Sequence, residues 1–276
     1  MKRKFLVTLS AMAVLVVGVF SLPHQVKGKT KSNEIIVATD SDTAPFTYKK
    51  GKQFTGYDID VLKAVFKDSS KYHVTFVTTA FDSILTGLDA GRFDIAANDF
   101  AYNDDRAEKY LFSKPISKSN HVIVGKSGKK YSSLDDLSGK TTEVLPGVNY
   151  ADVLKNWNKN HPDKEPIDIR YASSSTGLST RMQHIENGKI DFILYDAISA
   201  NYIIKDQGFD LEISDIKDNS GEETDGLEYF LFAKDKKGKK LQAYVDKRLE
   251  QLAKEGTLQK LSRKHFGGDF STQLKN

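Results

Sequence analysis

Asn103-Asp104-Asp105-Arg106 puts a helix cap, two carboxylates and a guanidinium into four consecutive residues. Asn is a favoured helix N-cap, and carboxylates in the first turn suit the positive end of the helix dipole. Arg106 works against that dipole, so a negative group should compensate it. Two chemistries would do so. One is a local ion pair with Asp104, Asp105 or Glu108, the ordinary state of a surface charge. The other is a bidentate grip on a carboxylate from outside, which suits the planar fork of a guanidinium. Two further stretches could contribute. Gly147-Val148-Asn149 follows an apolar run and opens a helical pattern, so its N–H groups could share an anion, although Asn149 also reads as a plain N-cap. Phe81 precedes Asp82 at a helix start, where its ring could wall a cleft or simply pack in the core.

These residues are placed by a repeating pattern of strands and helices. Short apolar runs at 35–38, 73–77, 93–97, 121–125, 142–145, 167–171, 190–195 and 228–232 read as strands. Helical spacing occupies 57–67, 82–90, 103–110, 150–160, 175–187, 197–207, 241–255 and 257–266. The stretch after 35–38, through Ala44-Pro45-Phe46 and Gly51, reads as a loop, and the lysine-rich 234–240 as a solvated one. Such alternation predicts α/β units with largely parallel sheets.

One echo refines this. Leu88-Asp89-Ala90-Gly91-Arg92-Phe93-Asp94 resembles Ile185-Glu186-Asn187-Gly188-Lys189-Ile190-Asp191. Each is a helix stopped at Gly, then a basic residue, then a strand opening apolar-Asp. Two similar lobes follow, and in open α/β sheets ligands sit beyond the carboxyl ends of strands. Arg106 lies past one such end and Asp196 past the other. A cation and an anion facing across one cleft are what a zwitterionic amino acid requires.

Composition narrows the alternatives. The 276 residues are 39% hydrophobic and 28% charged, enough for sizeable cores. Lys2, Arg3 and Lys4 precede an apolar run over 5–20, the order of a secretory signal, with cleavage expected after Gly28; an uncleaved membrane anchor is the alternative. Without the four cations of residues 1–28 the chain has 37 basic and 37 acidic residues, so its formal charge of +4 gives no reason to expect nucleic acid. There is no cysteine, which excludes disulfides, zinc–thiolate sites, thiol catalysis and a lipid-modified cysteine anchor. Gly-Lys-Ser/Thr at Gly28, Gly125 and Gly139 lacks the earlier glycine of a phosphate loop, and the six histidines show no zinc spacing. No cofactor or metal is expected.

At this point the chain resembles the extracytoplasmic solute-binding proteins of amino-acid ABC transporters, the polar amino-acid (family 3) type. The resemblance covers roughly 34–270. It rests on Thr39-Asp40 with Ala44-Pro45-Phe46, Gly56-Tyr57-Asp58-Ile59-Asp60, Phe81-Asp82, Leu88 to Asp94, and Asn103 to Lys109 with Tyr110-Leu111-Phe112-Ser113-Lys114-Pro115. Leu134 to Lys140, Gly188 to Asp191 with Asp196, and Gly256-Thr257-Leu258 complete the ordered set. It implies an α/β, type II periplasmic-binding-protein-like fold: two mixed sheets flanked by helices, joined by a hinge of two crossing strands. Lobe 1 would hold 34–120 and 228–276, and lobe 2 would hold 121–227.

The resemblance further implies that Arg106 holds a ligand carboxylate, Asp196 its ammonium and Phe81 one wall. Asn98, Asp99, Phe100 and Ala101, with Gly147, Val148 and Asn149, would line the cleft, and Asp58 would be structural. Thr43 stands where relatives carry an aromatic lid, and Ala101 where they carry a donating hydroxyl. Gly147-Val148-Asn149-Tyr150, Asp104-Asp105-Arg106 and Lys109-Tyr110 look most like the cystine-binding branch, with glutamine, arginine or another polar amino acid as alternatives. Asp99 could meet the second ammonium of cystine, or serve a structural ion pair. The implied partners are a polar amino acid and a membrane permease, for a monomer outside the cytoplasm. Two other classes stay in view: a dehydratase of prephenate-like acids using Asp99 as its acid, and a surface protein adhering to matrix polymers.

Overall fold

The computed structural model describes residues 34–216 and 226–272. The segment read as an export signal, 1–28, lies outside them. No helix among the described residues is long and apolar enough to cross a membrane.

The chain begins with β1 (Glu34–Thr39), β2 (Asp42–Thr43), β3 (Thr47–Lys50), β4 (Gln53–Thr55), α1 (Tyr57–Phe66) and β5 (His73–Thr78). It continues through α2 (Phe81–Asp89), β6 (Ile95–Ala101), α3 (Asp104–Lys109), β7 (Tyr110–Phe112), β8 (Ser117–Lys118) and β9 (His121–Lys126). A 3-10 turn (Leu134–Leu137) leads to β10 (Thr141–Val144), α4 (Asn149–Asn160), β11 (Asp168–Tyr171), α5 (Leu178–Glu186), β12 (Phe192–Asp196), α6 (Ala197–Gln207) and β13 (Leu211–Asp215). Then come β14 (Leu227–Ala233), α7 (Lys236–Lys254) and α8 (Thr257–Phe266).

Two mixed sheets carry these elements. The first has the order β5-β1-β6-β14-β7, with β8 also on β14; the second has β11-β10-β12-β9-β13. In the first, β1 runs parallel to β5 and β6 while β14 is antiparallel to β6. In the second, β10 runs parallel to β11 and β12 while β9 is antiparallel to β12. Each sheet is thus a parallel trio followed by one reversed strand. The chain crosses between the sheets twice, from β8 to β9 and from β13 to β14. This is the expected type II architecture of two mixed sheets and two crossings.

Helices cover the sheets through narrow apolar stripes. Leu241, Val245, Leu249 and Leu252 form one face of α7 and join Val61, Leu62 and Val65 of α1 over the first sheet. Leu178, Met182 and Ile185 of α5 do the same over the second, with Leu154 of α4 and Ile203 of α6. Strand β12 is buried along Phe192-Ile193-Leu194-Tyr195, the continuous apolar run of a strand covered on both faces.

The sequence echo is a structural echo. Gly91 and Gly188 stop their helices with positive φ of 66° and 70°. Asp94 then clamps the start of β1: its N–H donates to Ile36 O at 2.8 Å and its Oδ2 accepts from Ile36 N at 3.0 Å. Asp191 clamps the start of β10 in the same way, to Thr141 O and from Thr141 N, both at 2.9 Å.

Three expectations need correction. The stretch after β1, read as a loop, folds into the small antiparallel sheet β2-β3-β4. Strand β6 does not end at residue 97 but runs on through Ala101, because Tyr229 and Glu228 of β14 pair with Phe100 and Ala101 and hold them extended. The lysine-rich 234–240 is solvated as expected, but most of it is helix. Asp235 caps α7 by accepting from Gly238 N at 2.6 Å, and the lysines project from that first turn.

Candidate functional site

Asn103 is the expected cap: its backbone is extended and its side chain accepts from Arg106 N at 2.8 Å. Arg106 itself is only 6% exposed. Its guanidinium turns to two backbone carbonyls, Nη1 to Ala101 O at 2.7 Å and Nη2 to Gly147 O at 2.8 Å. The second bond joins the first sheet's α3 to the loop after β10 of the second. Beneath the guanidinium lies Phe100, 5.1 Å from ring centre to guanidinium carbon, stacked in turn on Phe81 at 5.5 Å. Burial lowers the Arg106 pKa to about 10, so it remains a cation at neutral pH.

A cavity of about 60 Å³ opens beside Arg106. Thr43, Phe81, Asn98, Asp99, Ala101 and Arg106 line it from the first sheet, and Val148, Asn149 and Asp196 from the second. Phe100 and Gly147, both expected in the lining, are not part of it. Phe100 is fully buried, stacked on Phe81 and lying under the Arg106 guanidinium. Gly147 acts through its carbonyl on Arg106. Asn149 is not the N-cap of α4: that position belongs to Val148, which caps with no side-chain bond, and Asn149 Nδ2 lies 3.4 Å from His121 Nε2.

Asn98 lines the cavity but spends its side chain on the protein. Its Oδ1 accepts from Thr39 Oγ1, Asp40 N and Thr47 Oγ1 at 2.8, 2.9 and 3.0 Å. Its Nδ2 donates to Asp40 Oδ2 and Thr43 Oγ1 at 3.0 and 3.1 Å. Every usual donor and acceptor of the amide is used. Thr43 Oγ1 donates in turn to Asp40 Oδ2 at 2.7 Å, so Thr43 is a girder of this floor and no lid.

Asp99 is different. It adopts φ +50°, an unusual conformation for a non-glycine residue, and Asp58 Oδ2 holds the turn by accepting from Asp99 N at 3.2 Å. Asp58 is therefore structural, as expected. Burial pushes the Asp99 carboxyl well above the usual range, with Asp196, Asp58 and Asp40 adding to the push and Arg106 opposing it. Across the cavity Asp196 caps α6, its Oδ1 accepting from Ser199 N at 2.8 Å. Burial raises its pKa to about 6, against the pull of the Ser119 hydroxyl and of the N–H groups that begin α6. A guanidinium and a small group of carboxylates short of cations thus face one space, which suits a ligand carrying an anion and at least one ammonium.

Sequence reading missed several lining residues: Asp40, Tyr150 and Tyr195, with Ser119, Asn120 and His121 of the first crossing. Asp40 and Tyr195 carried a signal, since each stands at or just past a strand's carboxyl end. A further miss is Arg181, which falls on the buried stripe of α5 between Leu178, Met182 and Ile185 and is 1% exposed. A cation at a stripe position was legible in the spacing.

Comparison with known proteins bears on this geometry. The family described as bacterial extracellular solute-binding proteins, family 3, matches residues 35–268. The chain is 33% identical to the L-cystine-binding protein TcyJ of Bacillus subtilis, covering 98% of this chain and 97% of that one. Among solved structures, one comes from a study of glutathione import in Gram-positive bacteria via GshT and the cystine ABC importer TcyBC of Streptococcus mutans. It matches at 37% identity and TM-score 0.80, over 87% of this chain and 98% of that one. A putative L-cystine ABC transporter structure from Listeria monocytogenes matches at 26% and TM-score 0.76, over 87% and 99%.

Proposed function

Because the chain belongs to the family 3 bacterial extracellular solute-binding proteins, we propose that it captures cystine between two lobes and delivers it to a membrane ABC transporter permease. The observation that carries this is the opposition of Arg106 and Asp196 across one cavity. In this reading Arg106 takes the α-carboxylate through the N–H groups not spent on Ala101 and Gly147. Asp196 takes the α-ammonium through the oxygen not spent on Ser199. Phe81 walls the cavity, Asn98 and Thr43 fix its floor, and Asp99, Ala101, Val148 and Asn149 complete its sides.

The lobes we assign are 34–120 with 228–276, and 121–227, hinged at the two crossings. The protein acts outside the cytoplasm as a monomer, exported by the segment 1–28. Cystine is favoured because relatives covering nearly the whole chain are named for it. Glutathione is the second reading, favoured by the origin of the 37% identical structure.

Thermal unfolding against cystine, glutathione, glutamine and arginine tests this. A ligand at a thousand times its Kd stabilises by about 4 kcal/mol, a rise on the order of 10 °C for a chain this size. A rise with cystine is the expected result. A rise with glutathione alone moves the reading to the tripeptide. No rise with any of them overturns amino-acid capture and returns attention to dehydratase or adhesive roles, the first checked by release of an aromatic product from a prephenate-like acid.

A further inference from the structure

The cleft does not end at Thr43 and Tyr195. A second chamber of about 500 Å³ shares Asp40, Thr43, Leu145 and Tyr195 with the cavity at Arg106. It is bordered by the turn after β1 on one side and by the start of α5 on the other. Its charged groups are Asp40, Asp42 and Arg181.

Arg181 is the unusual one. It is 1% exposed, and neither its Nε nor its Nη1 has a hydrogen-bond partner. A buried guanidinium with idle donors is costly, and such groups are ordinarily satisfied. The phenols of Tyr150 and Tyr195 hydrogen-bond its guanidinium and help hold it charged, but they leave Nε and Nη1 without partners. The Tyr195 ring lies 5.4 Å from its guanidinium carbon, the Tyr150 phenol is also close, and Asp42 acts on it through space. Asp40 is engaged on both oxygens, Oδ1 by Asp42 N at 2.9 Å and Oδ2 by Thr43 and Asn98. Asp42 is exposed at the chamber rim, with its carboxylate against Gly177 at the start of α5. The second chamber therefore repeats the chemistry of the first, one buried arginine and one carboxylate, here from α5 and from β2 of the small sheet.

We propose that this chamber is a second station of the same site, where Arg181 takes a far carboxylate and Asp42 a far ammonium. The ligand class is then a molecule with an amino-acid group at each end. The proposal rests on Arg106 and Asp196 holding the near end. Cystine has this chemistry, and a single-ended amino acid leaves Arg181 as idle as before. The repeat also gives the idle donors a purpose. A guanidinium satisfied within the protein would have to break those bonds to accept a ligand, whereas Arg181 has donors in reserve.

Isothermal titration with three ligands on the purified protein tests it. L-cystine carries both far groups. The mixed disulfide of L-cysteine with 3-mercaptopropionate keeps only the far carboxylate, and that with cysteamine keeps only the far ammonium. Asp42→Asn is expected to weaken cystine and the cysteamine disulfide at least tenfold while leaving the mercaptopropionate disulfide unchanged. Arg181→Gln is expected to weaken cystine and the mercaptopropionate disulfide and to spare the cysteamine one. Should Arg181→Gln not fold, Asp42→Asn decides alone, since its side chain lies at the exposed rim. Equal losses on all three ligands, or no loss on any, overturn the second station while the near-end reading survives. Loss confined to Arg181→Gln overturns the two-ended class and leaves a far carboxylate only. Wild-type protein that binds none of the three takes away the near-end reading, and the second station falls with it.

Discussion

The turns at Gly91–Asp94 and Gly188–Asp191 are built alike, yet the two patterns they begin end in opposite chemistry. Both stop a helix with a left-handed glycine and clamp the next strand pair with an aspartate. Beyond β6 the chain presents a cation within a six-residue helix; at the end of β12 it presents an anion as a helix cap. The anion suits its helix dipole and would be useful there without any ligand. The cation sits in a helix so short that it also belongs to the last turn; it is buried and held by the carbonyls of Ala101 and Gly147. A repeated fold thus reveals function by what is not repeated. Asp196 caps its helix with or without a ligand, whereas Arg106 ties Ala101 to Gly147 across the cavity.

The sharpest way to break this contrast is Arg106→Ala. Removing the buried partner of a ligand carboxylate should cost about 3 kcal/mol of binding, more than a hundredfold in Kd, by titration calorimetry. Far-ultraviolet circular dichroism should show the fold unchanged. Retained affinity would mean the guanidinium serves only Ala101 and Gly147.

Asp196→Asn comes next. Asn caps a helix as well as Asp does, so the bond to Ser199 N survives while the charge is lost. Amino-acid binding should fall tenfold or more, and a ligand lacking the α-ammonium should be nearly indifferent. The wild-type protein should also lose affinity as pH falls below about 6, because protonated Asp196 no longer attracts an ammonium. Unliganded stability moves the other way. The folded pKa of this group lies above its ordinary value of 3.8, so its charged form is disfavoured by folding. Its contribution to stability therefore improves as pH drops from 6 towards 4. Denaturant unfolding and titration across this window should diverge, and parallel curves would remove Asp196 from the site.

The smallest effect concerns the shared turns. Asp94→Ala and Asp191→Ala should each cost about 1 kcal/mol in urea unfolding, one lost backbone clamp apiece. Asp94 also pairs with Lys237 of α7, so its loss should exceed the other by a few tenths. Equal or reversed costs would show that the two clamps are less alike than their geometry.

Sequence spacing gave away most of the fold because its signals were local. Apolar runs, glycine stops and the aspartate that opens each strand are all written within a few neighbouring residues. What stayed hidden depends on partners far along the chain. Phe100 and Ala101 belong to β6 only because β14 returns beside them, more than a hundred residues later. Strands of two or three residues, such as β2, β7 and β8, bear too few residues to show a period. Arg106 and Asp196 were legible because each broke or met a rule of helix ends, while Tyr150 and Tyr195 looked like ordinary core aromatics until the sheets faced each other.

Asn98 carries a consequence for anyone selecting variants. Its amide joins β1, the turn after it and β3, so substitutions there would slacken the floor that Asp40, Thr43 and Asp99 share. A growth screen on scarce nutrient would score such variants beside Arg106, as if Asn98 touched the ligand. A screen for folded abundance would score them beside Val37 and Phe230. Only the two screens together would reveal a residue that lines the site while its side chain serves the fold.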